Sequence, residues 1–228
     1  IAHVKLLQGI LHIHQGQSAH AIEPLQESEA LFQRVEDERG MSIALVNQGG
    51  AFLEIGDLDA SQKSVEKAVD IARTNHDIWG LGLSLSGLGD VRYRQGEVDK
   101  AFQHMEEALK LFEQIGQQWL YAEALWRMAE MMQDQGNFQE AQKELERCYS
   151  LSRETGAKQW QISALESLGF ISLTLELYQQ AAGHFLEVLR LTGDRDFHHN
   201  SLNVFLGIIQ LAAHQNKLEK AATHLGGF

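Results

Sequence analysis

Residues 88–112 read "LGDVRYRQGEVDKAFQHMEEALKLF", and this stretch decides the fold. A Leu-Gly pair stands at 88 and 89, a glycine at 96, and small residues at 101 and 108. The same pattern returns every forty residues. "HQGQSAHA", "EIGDLDAS", "RQGEVDKA", "DQGNFQEA", "LELYQQA" and "HQNKLEKA" superpose at that period. Glycines mark the slot at Gly16, Gly56, Gly96 and Gly136, and Glu176 and Asn216 fill it in the last two copies. Internal repetition of this length is the mark of an array of supersecondary units.

Each unit reads as two helices joined by a tight turn, whose glycine can take the positive φ a helix end favours. Seven residues before the slot stand Gly9, Gly49, Gly89, Ala129 and Gly169; Ile209 breaks the series. Five residues after it stand Ala21, Ser61, Ala101, Ala141, Ala181 and Ala221. A mid-helix glycine costs roughly 1 kcal/mol relative to alanine. Its recurrence points to close helix packing that offsets the cost. Nine residues after the slot, Leu25, Val65, Met105, Leu145, Phe185 and Leu225 are the candidate fillers between repeats.

The period predicts first helices over 1–14, 40–54, 80–94, 120–134, 160–174 and 200–214. It predicts second helices over 18–34, 58–74, 98–114, 138–154, 178–192 and 218–228. Gly116, Gly156 and Gly193 are candidate helix C-terminal residues. No linker separates the copies, so 1–228 is expected to be a single domain, cut from a longer chain at both ends. There is one proline, Pro24, so little interrupts helices.

Residues 88–112 resemble the tetratricopeptide repeat, with Leu88, Gly89, Gly96, Ala101 and Ala108 in the family's roles. The resemblance implies an all-α, right-handed α-solenoid of about six repeats, the last truncated. The period is forty rather than thirty-four, and the proline that closes each family unit is missing. This longer form resembles the repeats that follow the ATPase module in bacterial signal-transduction ATPases of the STAND class, including LuxR-type and AfsR-type regulators. "HDIWGLGLSLSGLGDVRYRQGEVDKA" (76–101) and "LGIIQLAAHQNKLEKAATHLGGF" (206–228) carry that likeness. Such a parent implies a non-catalytic sensor domain of a transcriptional or signalling regulator, with the ATPase module upstream. A free-standing adaptor or peptide receptor is the alternative.

The resemblance also implies that first helices line a concave groove. Its positions fall on Asn47 and Gly50; on Ser86, Gly87, Asp90, Tyr93 and Arg94; on Trp126, Arg127, Glu130 and Gln133; on Glu166, Phe170 and Thr174; and on Asn203, Gln210 and His214. Gly50, Gly87 and Gly207 withhold side chains and leave room for a ligand. Trp126, Arg127 and Arg94 are the first candidates for contact, because Trp and Arg dominate binding hot spots. The opposing reading of Trp126 and Phe170 is packing between repeats. Trp79 and Trp119, forty apart, read as staples of the junction between repeats, and Trp160 is offset by one.

The net charge of −12 disfavours nucleic acid and suits a cationic partner or a solvated surface. Glycines in 80–89 lack the spacing and strand context of a dinucleotide site. There is no GxxxxGK[ST] in the chain. His104, His184 and His224 share one slot in non-adjacent repeats, too far apart for ligands that must lie about 2.0–2.3 Å from a zinc ion. His198 and His199, with Asp194 or Asp196, form a weak loop alternative. Cys148 aligns with Ala68, Ala108 and Val188 and reads as a buried structural thiol. No catalytic residue, cofactor or metal is expected. A protein or peptide, or a small inducer, is the expected partner, in the cytoplasm and away from membranes.

Overall fold

The computed structural model describes residues 1–192, 204 and 206–213. Ten helices follow one another: α1 (Ala2–His14), α2 (Ser18–Arg34), α3 (Glu38–Glu54), α4 (Leu58–Thr74), α5 (Ile78–Arg94), α6 (Val98–Gln114), α7 (Gln118–Asp134), α8 (Phe138–Thr155), α9 (Lys158–Thr174) and α10 (Tyr178–Thr192). Residues 204 and 206–213 are also helical. There is no strand among the described residues. The predicted second helix at 218–228 lies outside them, as do Gly193, the loop histidines 198 and 199, and Asn203.

The first helices begin earlier than the period predicts, at Glu38, Ile78, Gln118 and Lys158 rather than at 40, 80, 120 and 160. Asp37 and Asp77 explain two of these. Each accepts a hydrogen bond from the backbone N–H three residues on, Gly40 at 2.9 Å and Gly80 at 3.1 Å. That satisfies an orphan donor and starts the helix early. Asp57 caps α4 in the same way through Ala60, at 3.0 Å.

The supposed loops between repeats therefore shrink to the size of the turns within them. Every turn places one left-handed residue at twenty-residue spacing: Gly16, Glu36, Gly56, His76, Gly96, Gly116, Gly136, Gly156 and Glu176. At each turn the next N–H reaches back five residues, as Gln17 does to His12 O (2.8 Å) and Asp77 to Ala72 O (2.9 Å). These bonds close the helix ends in the Schellman pattern. The array is thus a helix and a turn repeated every twenty residues, with two alternating kinds of helix.

The chain divides into two compact units, residues 1–124 and 125–228, and the boundary falls inside α7. In the first unit consecutive helices pack from α1 to α6, and first helices of successive copies touch (α1 with α3, α3 with α5). In the second, α9 packs against α8 and α10.

The core follows from the small-residue slots. A Cβ on Gly9 would lie 2.4 Å from Leu25 Cγ, and one on Gly49 would lie 2.3 Å from Val65 Cγ2. One on Gly169 would lie 2.5 Å from the Phe185 ring. Leu25, Val65 and Phe185 therefore each sit directly on the glycine of their own first helix. Val65 also reaches the next copy, 3.5 Å from a Cβ on Gly87. Ser61 reinforces the crossing by donating its hydroxyl to Gly49 O at 2.7 Å. Ala21, Ala101, Ala141, Ala181, Leu25, Met105, Leu145 and Phe185 are fully buried.

Candidate functional site

The first helices α3, α5 and α9 bury about half of their residues, and α1 buries only Leu6 and Gly9. In α9 the buried residues include Trp160, Gln161, Ile162, Ala164, Leu165, Leu168, Gly169, Ile171 and Ser172. Only a narrow half-exposed stripe remains, through Ser163, Glu166, Ser167 and Phe170. The equivalent stripe on α3 runs through Ile43, Val46, Asn47 and Gly50, with only Gly50 exposed. On α5 it takes in Gly87, Asp90 and Tyr93, then exposed Arg94, while on the 125–134 part of α7 it takes in Trp126, Arg127 and exposed Glu130. Ser86 is buried, its hydroxyl 3.6 Å from Met105 Sδ. Each unit thus presents a half-exposed strip of first-helix residues. Asn47, Gly50, Gly87, Asp90, Tyr93, Arg94, Trp126, Arg127, Glu130, Glu166 and Phe170 lie on it, whereas Ser86 is buried.

Within the first unit, Asn47 donates its amide to Ile43 O at 2.8 Å, one turn back on its own helix. Gly50 opens onto free space, with nothing within 4 Å of a Cβ built there. The expectation that Gly207 also leaves room is not met. A Cβ there would lie 2.4 Å from the Phe185 ring, so this glycine makes room for the core.

Within the second unit, Phe170 sits edge-on to Phe185, ring centroids 5.3 Å apart. That ring is anchored to the core. Trp126 stacks at a tilt on Trp160, centroids 5.5 Å apart, and this pair ties α7 to α9. Trp160 is a residue whose role the sequence did not reveal. It occupies the slot held by Gly40 and Gly80 in earlier copies. Gly40 faces Phe32, whereas the slot of Phe32 holds Ser152 before Trp160.

Two polar atoms on this strip stand out. Trp126 Nε1 and Glu166 Oε1 are both buried, and neither has a hydrogen-bond partner. They belong to one repeat slot, forty residues apart. Desolvation raises the Glu166 carboxyl from 4.5 to about 7. A buried polar atom without a partner is rare in folded proteins and costs about 1–3 kcal/mol.

Arg94 belongs to the first unit, and Trp126 and Arg127 to the second. Trp79 carries the guanidinium of Arg39 over its ring at 4.7 Å, a cation–π contact between the starts of α3 and α5. That is the junction role expected of it. Trp119 is 47% exposed. Cys148 is fully buried, and desolvation pushes its thiol up to about 12, so it stays protonated at neutral pH. His104 and His184 are held below the usual histidine range, first by desolvation. No group of three potential metal ligands occurs among the described residues. No described helix is long and apolar enough to cross a membrane. In the first unit an open dent is lined by Gly16, Gln17, Ser18, His20, Glu54 and Ile55.

Tandem helical hairpins with a half-exposed first-helix strip define a helical repeat protein. The family model described as "Tetratricopeptide repeat" matches residues 80–154 and 120–194, and a second model of that description matches 43–75. The chain belongs to the tetratricopeptide repeat family. A model described as "Anaphase-promoting complex subunit 5" matches only residues 3–48. No curated protein matches the chain significantly.

Among solved structures, a Rap protein complexed with Competence and Sporulation Factor is similar at a TM-score of 0.76 and 18% identity, over 84% of this chain and 54% of that one. A STAND protein with a tetratricopeptide repeat sensor, from Pyrococcus horikoshii, is similar at 0.68 and 14%, over 94% of this chain and 30% of that one. BtubC (BKLC) from P. vanneervenii is similar at 0.68 and 16%, over 94% of this chain and 92% of that one. The chain spans about half of the Rap protein and under a third of the STAND protein. These likenesses establish the fold.

Proposed function

We propose that this chain is a non-catalytic binding domain that receives a peptide or protein segment along its first helices. The observation that carries the reading is the half-exposed strip, where Trp126 and Glu166 hold buried polar atoms without partners. The binding positions assigned to it are Asn47, Asp90, Tyr93, Arg94, Trp126, Arg127, Glu130, Glu166 and Phe170. Asn203, assigned with them from the sequence, lies outside the described residues. Aromatic and charged groups together suit specific recognition.

The parent we favour is a STAND-type signalling ATPase or transcriptional regulator in which this domain is the sensor. Support comes from the forty-residue repeat and from the fold shared with the Pyrococcus horikoshii protein, whose repeats are described as a sensor. Ligand binding then shifts the balance between states of the ATPase module through a difference in affinity for them. The alternative is a free-standing peptide receptor, favoured by the fold shared with the Rap protein complexed with Competence and Sporulation Factor. Capture on a peptide array tests the binding reading: Arg94→Ala with Trp126→Ala is expected to abolish most of it, and unchanged capture removes the groove assignment. Nucleotide turnover by the full-length protein, with and without a captured peptide, separates sensor from adaptor.

A further inference from the structure

The strip on the second unit carries three charged groups, Arg127, Glu130 and Glu166. Only Glu166 combines a half-buried side chain with a buried oxygen that nothing satisfies. Burial disfavours the ionised form of its carboxyl. What it lacks is a donor, and a charged one interacts most strongly. Hydrogen bonds between ions are roughly twice as strong as neutral ones, and partial desolvation strengthens them further.

The surroundings favour the same chemistry. Trp126, one copy earlier in the same slot, is half-buried and paired with Trp160. Indole faces attract ammonium and guanidinium groups and pack on the methylene stems behind them. A chain with a net charge of −12 also steers cationic partners toward it and repels anionic ones.

We infer that Glu166 is the specificity residue of the strip and takes a lysine or arginine side chain of an extended peptide, beside the Trp126–Trp160 pair. This inference rests on the groove reading and adds the chemical class of the ligand. The bound segment is basic at one register position. Its cation pairs with the Glu166 carboxylate.

The test begins with selection of random linear peptides displayed on phage against the folded chain and, in parallel, against Glu166→Gln and Glu166→Asp. Gln keeps the shape and removes the charge; Asp keeps the charge. Lysine or arginine is expected at one fixed position in the wild-type and Asp pools and to vanish from the Gln pool. In a selected peptide, Lys→Gln is expected to weaken binding to the wild type by about tenfold to a hundredfold. The same change is expected to leave binding to Glu166→Gln within about threefold, the coupling of a direct pair. Peptides enriched without a fixed basic position overturn the cation assignment and leave the groove reading standing, as does an equal Lys→Gln loss in both proteins. If nothing is enriched, or if Trp126→Ala binds the selected peptides as well as the wild type does, the groove reading falls and the inference with it.

Discussion

At the residue scale, the recurrent glycines divide into two kinds with opposite reasons. Gly49 is a packing glycine. Its missing Cβ leaves room for Val65, and a methyl there would lie 2.3 Å from Cγ2. Gly49→Ala is expected to destabilise the fold by about 1–3 kcal/mol through overpacking, with part of the loss recovered by Val65→Ala in a double-mutant cycle read by urea unfolding. Gly56 is a conformational glycine, open on all sides but at a φ of 83°. Glu36 and His76 hold the same left-handed place at a φ of 54°, without glycine's freedom. Replacing either by glycine is expected to stabilise the chain by about 1 kcal/mol, read as a raised melting temperature. Glu166 adds a pH dependence. Its folded value of about 7 exceeds the ordinary 4.5, so the folded state keeps a proton that the unfolded chain releases. The stability this group contributes is full at acid pH and is lost as pH rises through the folded value. Glu166→Gln is therefore expected to melt above the wild type at about pH 8, and the gap to close at about pH 5. His104 and His184 act in the opposite sense, losing stability as pH falls, but equally in both proteins.

At the element scale, caps rather than loops set the helix lengths. Asp37, Asp57 and Asp77 each hold a backbone N–H of the first turn. Substitution of Asp77 by alanine is expected to cost about 0.5–2 kcal/mol, measured by urea unfolding, with Asp77→Asn recovering most of it. The three aspartates were present in the sequence all along. Asp37 and Asp77 are hidden by a register anchored on the glycine turns, which makes 35–39 and 75–79 loops. Recognising that Glu36 and His76 stand twenty residues from Gly16, Gly56 and Gly96 needs the backbone, since neither side chain signals a positive φ.

At the scale of the molecule, stability in such arrays is a sum of repeat and neighbour contributions. The slots of Val4 and Leu11 illustrate the neighbour part. Their equivalents Ala44, Ala51 and Val91 are 0%, 0% and 1% exposed, whereas Val4 and Leu11 are 66% and 55% exposed. A preceding second helix covers the later copies and not α1. Amide exchange is therefore expected to be faster in α1 than in α3; equal protection would show that the α1 face is covered in solution. We hold residues 1–228 to be one domain because the forty-residue register runs on past residue 124. One calorimetric transition is the outcome that reading expects, and two separate transitions would divide the chain at the boundary of its units.

The sequence by itself determined the repeat, the order and kind of the helices, and the small-residue slots. These follow from periodicity, and periodicity is a property of the chain alone. It also placed Cys148 in the core and nominated Glu166 and Trp126, because a slot keeps its face from copy to copy. Tertiary structure alone decided which slots are open. Gly50 faces free space and Gly207 faces Phe185, although both withhold a side chain. It alone set Trp160 against Trp126 and left the Glu166 carboxyl without a partner. Those outcomes depend on the sizes of side chains a whole repeat away, which no single slot records.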